Sequence, residues 1–300
     1  MDKFKQIETF VNVAQRGSLT AAARLEGVAP GVIGRRIDAL EHRLGVKLLL
    51  RTTRRLSLTF EGAAFLEDCQ RVLDALGDAE SAVSMGGARP RGHLRVTAPA
   101  GFGRRHVAPL LPEFLSDHPE LTVSLELSDR LADIVNESID IAIRIGALPD
   151  SSLVGTRLAD NRRVVVGSPE YFARRGEPRH PSELASHDCL TFGNYGNQSR
   201  GWQFVVDGRP LWLRVGGSME CNDGAALLEW ARAGHGLAWR SMWEVRDDIR
   251  RGMLRSVLNE FPAPDSGVFA LFAQRRQMPL RVRMFVDFLR ERYAAPDYWR

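Results

Sequence analysis

Cysteine is scarce in this chain, and long apolar runs are missing from it. Cys69, Cys189 and Cys221 are the only three cysteines in 300 residues. They lie far apart without CxxC spacing, which argues against a zinc knuckle, a redox pair or a disulfide framework; each is expected to behave as a buried apolar residue. No run of eighteen apolar residues occurs, so no segment has the length of a membrane-spanning helix. The first twenty residues carry Asp2, Lys3, Lys5, Glu8 and Arg16 instead of an apolar signal core, and the expected location is the cytoplasm. There is no low-complexity tract, and 44% hydrophobic with 26% charged residues is an ordinary folded composition. Catalytic signatures are absent too: no GxSxG, P-loop or HExxH occurs. Gly101-Phe-Gly103 begins a dinucleotide-like pattern, but His106 stands where the third glycine should be. His187, Asp188 and Cys189 are adjacent, a spacing that turns their side chains apart. The expectation is no enzyme, no metal and no cofactor.

What is present starts with length, which suits two or three folding units rather than one core. Charge is unevenly distributed along them. Residues 1–59 hold eleven Lys and Arg against five Asp and Glu, a net of +6, while the remainder holds 30 against 32, a net of −2. The positive excess therefore sits in the first fifth of the chain, mostly after residue 34, and suggests a local polyanion-binding surface.

The same segment reads as three helices. Phe4, Ile7, Phe10, Val11 and Ala14 recur at helical spacing up to Gly17. Ser18 is placed to cap a second helix, Leu19 to Leu25, in which Ala21, Ala22 and Ala23 permit close helix packing. After Gly27 and a short turn, Pro30 opens a third helix with the stripe Val32, Ile33, Ile37, Leu40 and Leu44. Two helices joined by a short glycine-containing turn make a helix-turn-helix. The stripe serves the core, which leaves Pro30, Gly31, Gly34, Arg35 and Arg36 as the candidate recognition surface, with Ser18 and Thr20 at the start of the preceding helix. Gly31 and Gly34 each cost about 1 kcal/mol in a helix relative to alanine. Either close approach to DNA or close packing on the alanine-rich helix would account for them. Val46 to Leu50 and Leu56 to Leu58 read as short strands around Arg51, Thr52, Thr53, Arg54 and Arg55, a basic hairpin suited to a minor groove and to phosphates.

FVNVAQRGSLTAAARL (10–25), RRIDALEHRLGVKLL (35–49), RTTRRLSLT (51–59) and EGAAFL (61–66) together resemble the LysR-type transcriptional regulators. The resemblance implies double-stranded DNA as partner, interrupted near-palindromic operators, dimers that associate into tetramers, and RNA polymerase as a further partner. One departure stands out. Where the family usually has Ser-Gln-Pro-Ala before an apolar pair and another serine, this chain reads Ala29-Pro30-Gly31-Val32-Ile33-Gly34, so contacts made by the usual serine and glutamine do not carry over.

From Phe60 to Met85 proline is absent and apolar residues fall on a heptad, with Gly62, Cys69, Leu76 and Val83 at one core position and Phe65, Val72 and Ala79 at the other. This reads as a dimer seam, or else as a long helix packed on its own domain. Gly86 to Gly92 collects turn residues and is the clearest linker. The expected organisation is a winged helix-turn-helix over 1–59, a linker helix and hinge over 60–92, and an effector domain over 93–300.

In that last domain strands and helices alternate, which predicts a parallel sheet covered by helices. The family resemblance implies a two-lobed, periplasmic-binding-protein-like α/β fold, with lobe I over about 93–161 and 266–300 and lobe II over about 162–265. Ligands of open α/β sheets sit beyond strand carboxyl ends. Pro99, Ala100, Gly101 and Phe102 follow the first strand, Ser128 and Asp129 the second, Arg144 and Gly146 the third. Asn194, Trp202, Asn222 and Arg240 are the candidates from the other lobe. The expected effector is a small molecule, an organic anion by preference. Arg144 among isoleucines requires either that anion or an internal carboxylate, and Trp202 and Trp239 also suit ordinary core packing. Two other classes compete: an architectural DNA-binding protein whose second domain only oligomerises, and an enzyme or solute receptor with a DNA-binding head.

Overall fold

The computed structural model describes residues 2–51, 56–83, 90–130, 137–146, 153–193, 201–264, 266–273, 278–296 and 298–299. The chain divides into two compact units, Met1–His93 and Leu94–Arg300.

In the first unit, α1 (Lys3–Arg16) begins at Asp2, whose carboxylate accepts the Phe4 N–H at 3.0 Å, and ends on Gly17 at a left-handed φ of 61°. Helix α2 (Leu19–Glu26) starts where the Ser18 hydroxyl accepts the Ala21 N–H at 3.3 Å. Helix α3 (Pro30–Leu44) has Ala29 before it and so no side-chain cap, the consequence of the departure at that position. Phe10, Val13, Ala22, Ile33, Ile37 and Leu40 form the buried centre. Strands β1 (Leu49–Arg51) and β2 (Leu56–Leu58) pair antiparallel, Leu49 opposite Leu58. Helix α4 (Phe60–Val83) follows. Gly62 lies so close to the Leu48 carbonyl that a Cβ would not fit.

Two buried carboxylates tie this unit together. Glu41 of α3 accepts the Leu48 and Leu49 N–H groups at 2.9 and 3.1 Å and the Lys47 ammonium at 2.6 Å, fixing the wing to the helix. Burial alone would push its pKa up; the three bonds outweigh that and hold it below the usual value. Glu26 closes α2 and accepts from Thr9, Asn12 and Arg36.

The second unit contains two five-stranded sheets. The first is built from β3 (Gly92–Ala98), β4 (Leu121–Leu127), β5 (Ile141–Ile145), β6 (Leu153–Asn161) and the late strand β14 (Ser266–Ala273), in the order β4-β3-β5-β14-β6. Between β3 and β4 lie α5 (Ala100–Phe102), a π-turn at Gly103–Val107, and α6 (Leu111–Asp117). The second sheet contains β7 (Arg163–Gly167), β8 (Cys189–Phe192), β11 (Glu220–Cys221), β12 (Leu237–Ser241) and β13 (Arg255–Val257), in the order β11-β8-β12-β7-β13. Helix α7 (Pro169–Arg175) follows β7, a hairpin of β9 (Trp202–Val206) and β10 (Arg209–Leu213) stands apart, and α8 (Gly224–Arg232) and α9 (Met242–Arg250) flank β12. Helix α10 (Leu280–Ala294) returns to the first sheet, burying Val282, Phe285, Val286 and Leu289.

Both sheets are mixed rather than parallel. β3 and β5 are parallel, as are β8, β11 and β12, but β14 runs antiparallel to β5 and β6, and β7 antiparallel to β12 and β13. The cause is the route of the chain. It leaves the first sheet through β6, turns at Asn161 and Arg162 straight into β7, and comes back as β14, so strands at the crossover reverse direction.

Candidate functional site

On α3 the two arginines have different surroundings. Arg35 is exposed. Arg36 donates to the Glu26 carboxylate at 2.5 Å and to the Thr9 hydroxyl at 3.3 Å, with its side chain only 16% exposed and that of Glu26 2%. Arg36 therefore joins α3 to α1 and α2, which corrects its expected place on the recognition surface. One residue is a rotation of about 100° on a helix, enough to move a side chain from the outer face to the seam. A Cβ added at Gly31 or Gly34 would meet nothing within 4 Å. Packing against α2 is thereby ruled out as the reason for either glycine. Pro30 and Thr20 are exposed, and Ser18 is committed to its cap. Arg51 ends β1, while Thr52, Thr53, Arg54 and Arg55 lie outside the described residues.

The heptad of α4 divides in two. Cys69 is 2% exposed in the core of its own unit, and Phe65 packs on Phe10 with ring centroids 5.7 Å apart. These residues serve the domain, not a seam, because the first turns of α4 cover α1. Farther along, Val72 is 45% and Leu76 38% exposed, and Ala79 is exposed as well. Val83 closes the helix.

In the second unit, residues after β3 and β4 lie near the second lobe: Gly101 by Trp243 and Glu244, and Asp129 within the field of Arg240 and Asp223. Asp129 accepts the Ala100 N–H at the start of α5. Burial raises the Asp129 pKa and Asp223 adds to the rise, against the Ala100 N–H, Arg240 and Arg144. Arg144 donates to the carbonyls of Ile143 and Arg130 at 2.7 and 3.2 Å and to the Thr97 hydroxyl at 3.5 Å. Ser128 accepts the Arg130 N–H at 3.3 Å, and the Gly146 N–H donates to Gly267 at 3.0 Å. From the second lobe, Arg240 forms a two-pronged pair with Glu244, both bonds 2.8 Å, and its guanidinium fills the space at Gly224. A Cβ at Gly101 would lie 3.8 Å from Trp243 and 3.9 Å from the Glu244 carboxylate, so Gly101 marks where the lobes approach. Pro99 is partly exposed beside it and Asn222 is exposed, while Asn194 lies outside the described residues.

Residues 4–63 match the family model described as bacterial regulatory helix-turn-helix protein, lysR family, and residues 87–294 match that described as LysR substrate binding domain. The chain is a LysR-type transcriptional regulator. It is 36% identical over 288 residues to the HTH-type transcriptional regulator DmlR of Escherichia coli, covering 96% of this chain and 94% of that one. A further HTH-type transcriptional regulator, from Xanthomonas campestris, is 40% identical over 283 residues, 93% of this chain and 82% of the other. Among solved structures it is similar to CrgA, a LysR-type transcriptional regulator from Neisseria meningitidis, with a TM-score of 0.60 at 33% identity over 97% of this chain and 98% of that one. These relatives are transcriptional regulators, not enzymes, and the family binds DNA and small-molecule effectors and forms oligomers.

Within this LysR-type frame two expected effector contacts are corrected. Trp202 is 2% exposed and stacks with Trp239, centroids 6.5 Å apart, in the core beneath the β9–β10 hairpin. Phe102 is fully buried among His106, Trp243, Tyr293 and Trp299. Both belong to packing, since alternation along a strand or one turn of helix carries them away from the gap. The Arg163 guanidinium packs on the same core as Trp202, 4.5 Å from the Trp239 ring centroid at the head of β7. A separate cavity of about 180 Å³, lined by Ile139, Val154, Phe272, Met278 and Val282, lies at the opposite ends of the first sheet's strands.

Proposed function

We propose that this regulator reads a near-palindromic, interrupted operator with α3 of two protomers, and that a small organic effector entering between the two lobes changes the geometry of that complex. The observation that carries the reading is the N-terminal half of α3: Arg35 exposed, Gly31 and Gly34 open to approach, and the helix start free of a side-chain cap. Uncapped N–H groups and the helix dipole favour a phosphate there, and an arginine one turn on can reach base edges. The net charge of +6 over residues 1–59 supplies the long-range attraction.

In this reading residues 1–59 bind DNA, 60–92 dimerise and connect, and 93–300 respond to the effector. Lobe I comprises about 93–161 with 266–300, and lobe II about 162–265. Val72, Leu76 and Ala79 supply the seam on α4. Two-fold symmetry then sets half-sites about one helical turn apart, or a multiple of it. Dimers pair into tetramers, RNA polymerase is the onward partner, and the site of action is the cytoplasm. No helix among the described residues is long and apolar enough to cross a membrane.

Binding of the full chain to the DNA upstream of its own gene, at two salt concentrations and against unrelated competitor, tests this. Tight, salt-sensitive and selective binding is expected. Equal affinity for every sequence would favour the architectural alternative.

A further inference from the structure

The first sheet carries a hollow at the end of its strands away from the cleft residues. Ile139 and Asp140 lead into β5 at its amino end, and Arg144 lies about 13 Å farther along the same strand. Beside them Val154 stands opposite Phe272 in the β6–β14 pair. Helix α10 fills this face of the sheet from Val282 onward, with Phe285, Val286 and Leu289 following it into the core. Before Val282 come Met278 and Pro279, and a cavity of about 180 Å³ remains between them and the sheet end.

Its walls decide what it can hold. Asp140 is the one polar side chain among the described lining residues, and both of its oxygens are engaged: Oδ2 accepts the Arg95 N–H at 3.0 Å and Oδ1 pairs with Arg281 at 3.5 Å. An anion entering here would meet that carboxylate. A cation would have to take it from Arg281, which is itself 4% exposed, and either ion would also give up its hydration. A water molecule needs two to four polar partners, which one engaged carboxylate does not supply. Apolar contact is what the remaining walls offer, from Ile139, Val154, Phe272, Met278 and Val282. A cavity of roughly 150 Å³ lined by Leu, Ile and Phe stays dry and takes up benzene. The hollow beside Phe272 is of that size and kind, and a ring with a thioether in its wall favours an aromatic guest. Val154 and Met278 are 40% and 37% exposed, which gives the hollow a mouth.

We infer that this cavity is a binding site for a small uncharged aromatic molecule, one ring of about six to eight heavy atoms. The site is separate from the cleft and does not depend on what the cleft takes.

The experiment is thermal unfolding of the full-length protein with toluene as the probe, and with benzoate as the same ring carrying a charge. One buried ring is expected to bind with a dissociation constant on the order of 1 mM, so toluene should raise the wild-type midpoint saturably over that range. Val154→Trp and Met278→Trp each place a bulky ring at the mouth. Both positions are exposed, so the midpoints without ligand should stay close to that of the wild type. Toluene affinity should fall at least about ten-fold in each variant. Saturation transfer from the protein to toluene, measured by NMR well below the midpoint, reads binding even in a variant of lowered stability. No toluene binding by the wild type, or binding undiminished in both tryptophan variants, overturns the site. A benzoate response that both variants abolish overturns the uncharged class of ligand.

Discussion

Arg35 and Arg36 are adjacent and chemically identical, and α3 sends them to opposite environments. The hydrophobic stripe of α3 was legible in the sequence because apolar residues declare the core side by themselves. The role of Arg36 was not, because its partner Glu26 lies on another helix and no local pattern links them. Arg36→Ala should therefore act on stability, taking from buried Glu26 its closest cation and leaving it Thr9, Asn12 and Lys5, at a cost of about 1.5 to 3 kcal/mol, seen as a lower unfolding midpoint of the DNA-binding unit. The two glycines give the opposite sign. With open space at each Cβ, Gly31→Ala and Gly34→Ala should each stabilise the helix by about 0.5 to 1 kcal/mol in chemical denaturation. If the bare backbone serves DNA approach, the same substitutions weaken operator binding; unchanged affinity would leave the glycines without that role.

Helix α4 shows how far a repeat can be read. Its heptad was visible, but Phe65 and Cys69 pack inside their own unit, since a period records only that a face is apolar and not what covers it. Val72→Asp together with Leu76→Asp is expected to convert the protein to monomers in sedimentation while the helical signal remains. Cys69, whose thiol burial pushes up to about 12, should resist alkylation in the folded state. The π-turn after α5 carries a different signature. Burial, with Arg105 adding to it, pushes the pKa of His106 from 6.5 down to about 4, so it is neutral when folded. Between those values the unfolded chain binds a proton that the folded chain does not, so stability falls as pH drops through the window and levels off below it. His106→Gln should flatten that slope in unfolding curves taken from pH 7 to pH 4; an unchanged slope would mean the histidine titrates normally.

At the scale of the whole molecule, the division into a basic helical head and a larger α/β part was legible from charge and from the change of period along the chain. The mixed direction of the sheets was not, because strand direction depends on the crossing at Asn161-Arg162, which carries no special composition. The cleft was only partly legible. Strand ends gave Asp129, Arg144 and Arg240, yet whether such an arginine is spent on internal partners, as Arg144 is on Thr97 and the Arg130 carbonyl, depends on residues distant in sequence. The central claim is that α3 reads DNA sequence and that Arg35 carries part of the reading. The most direct test titrates wild type and Arg35→Ala against the selected upstream site and against unrelated DNA at matched salt. A loss of about 1 to 3 kcal/mol on the selected site with little change on unrelated DNA is predicted. Equal losses on both would reduce Arg35 to a phosphate contact, and no loss on either would contradict the claim that this face of α3 reads sequence.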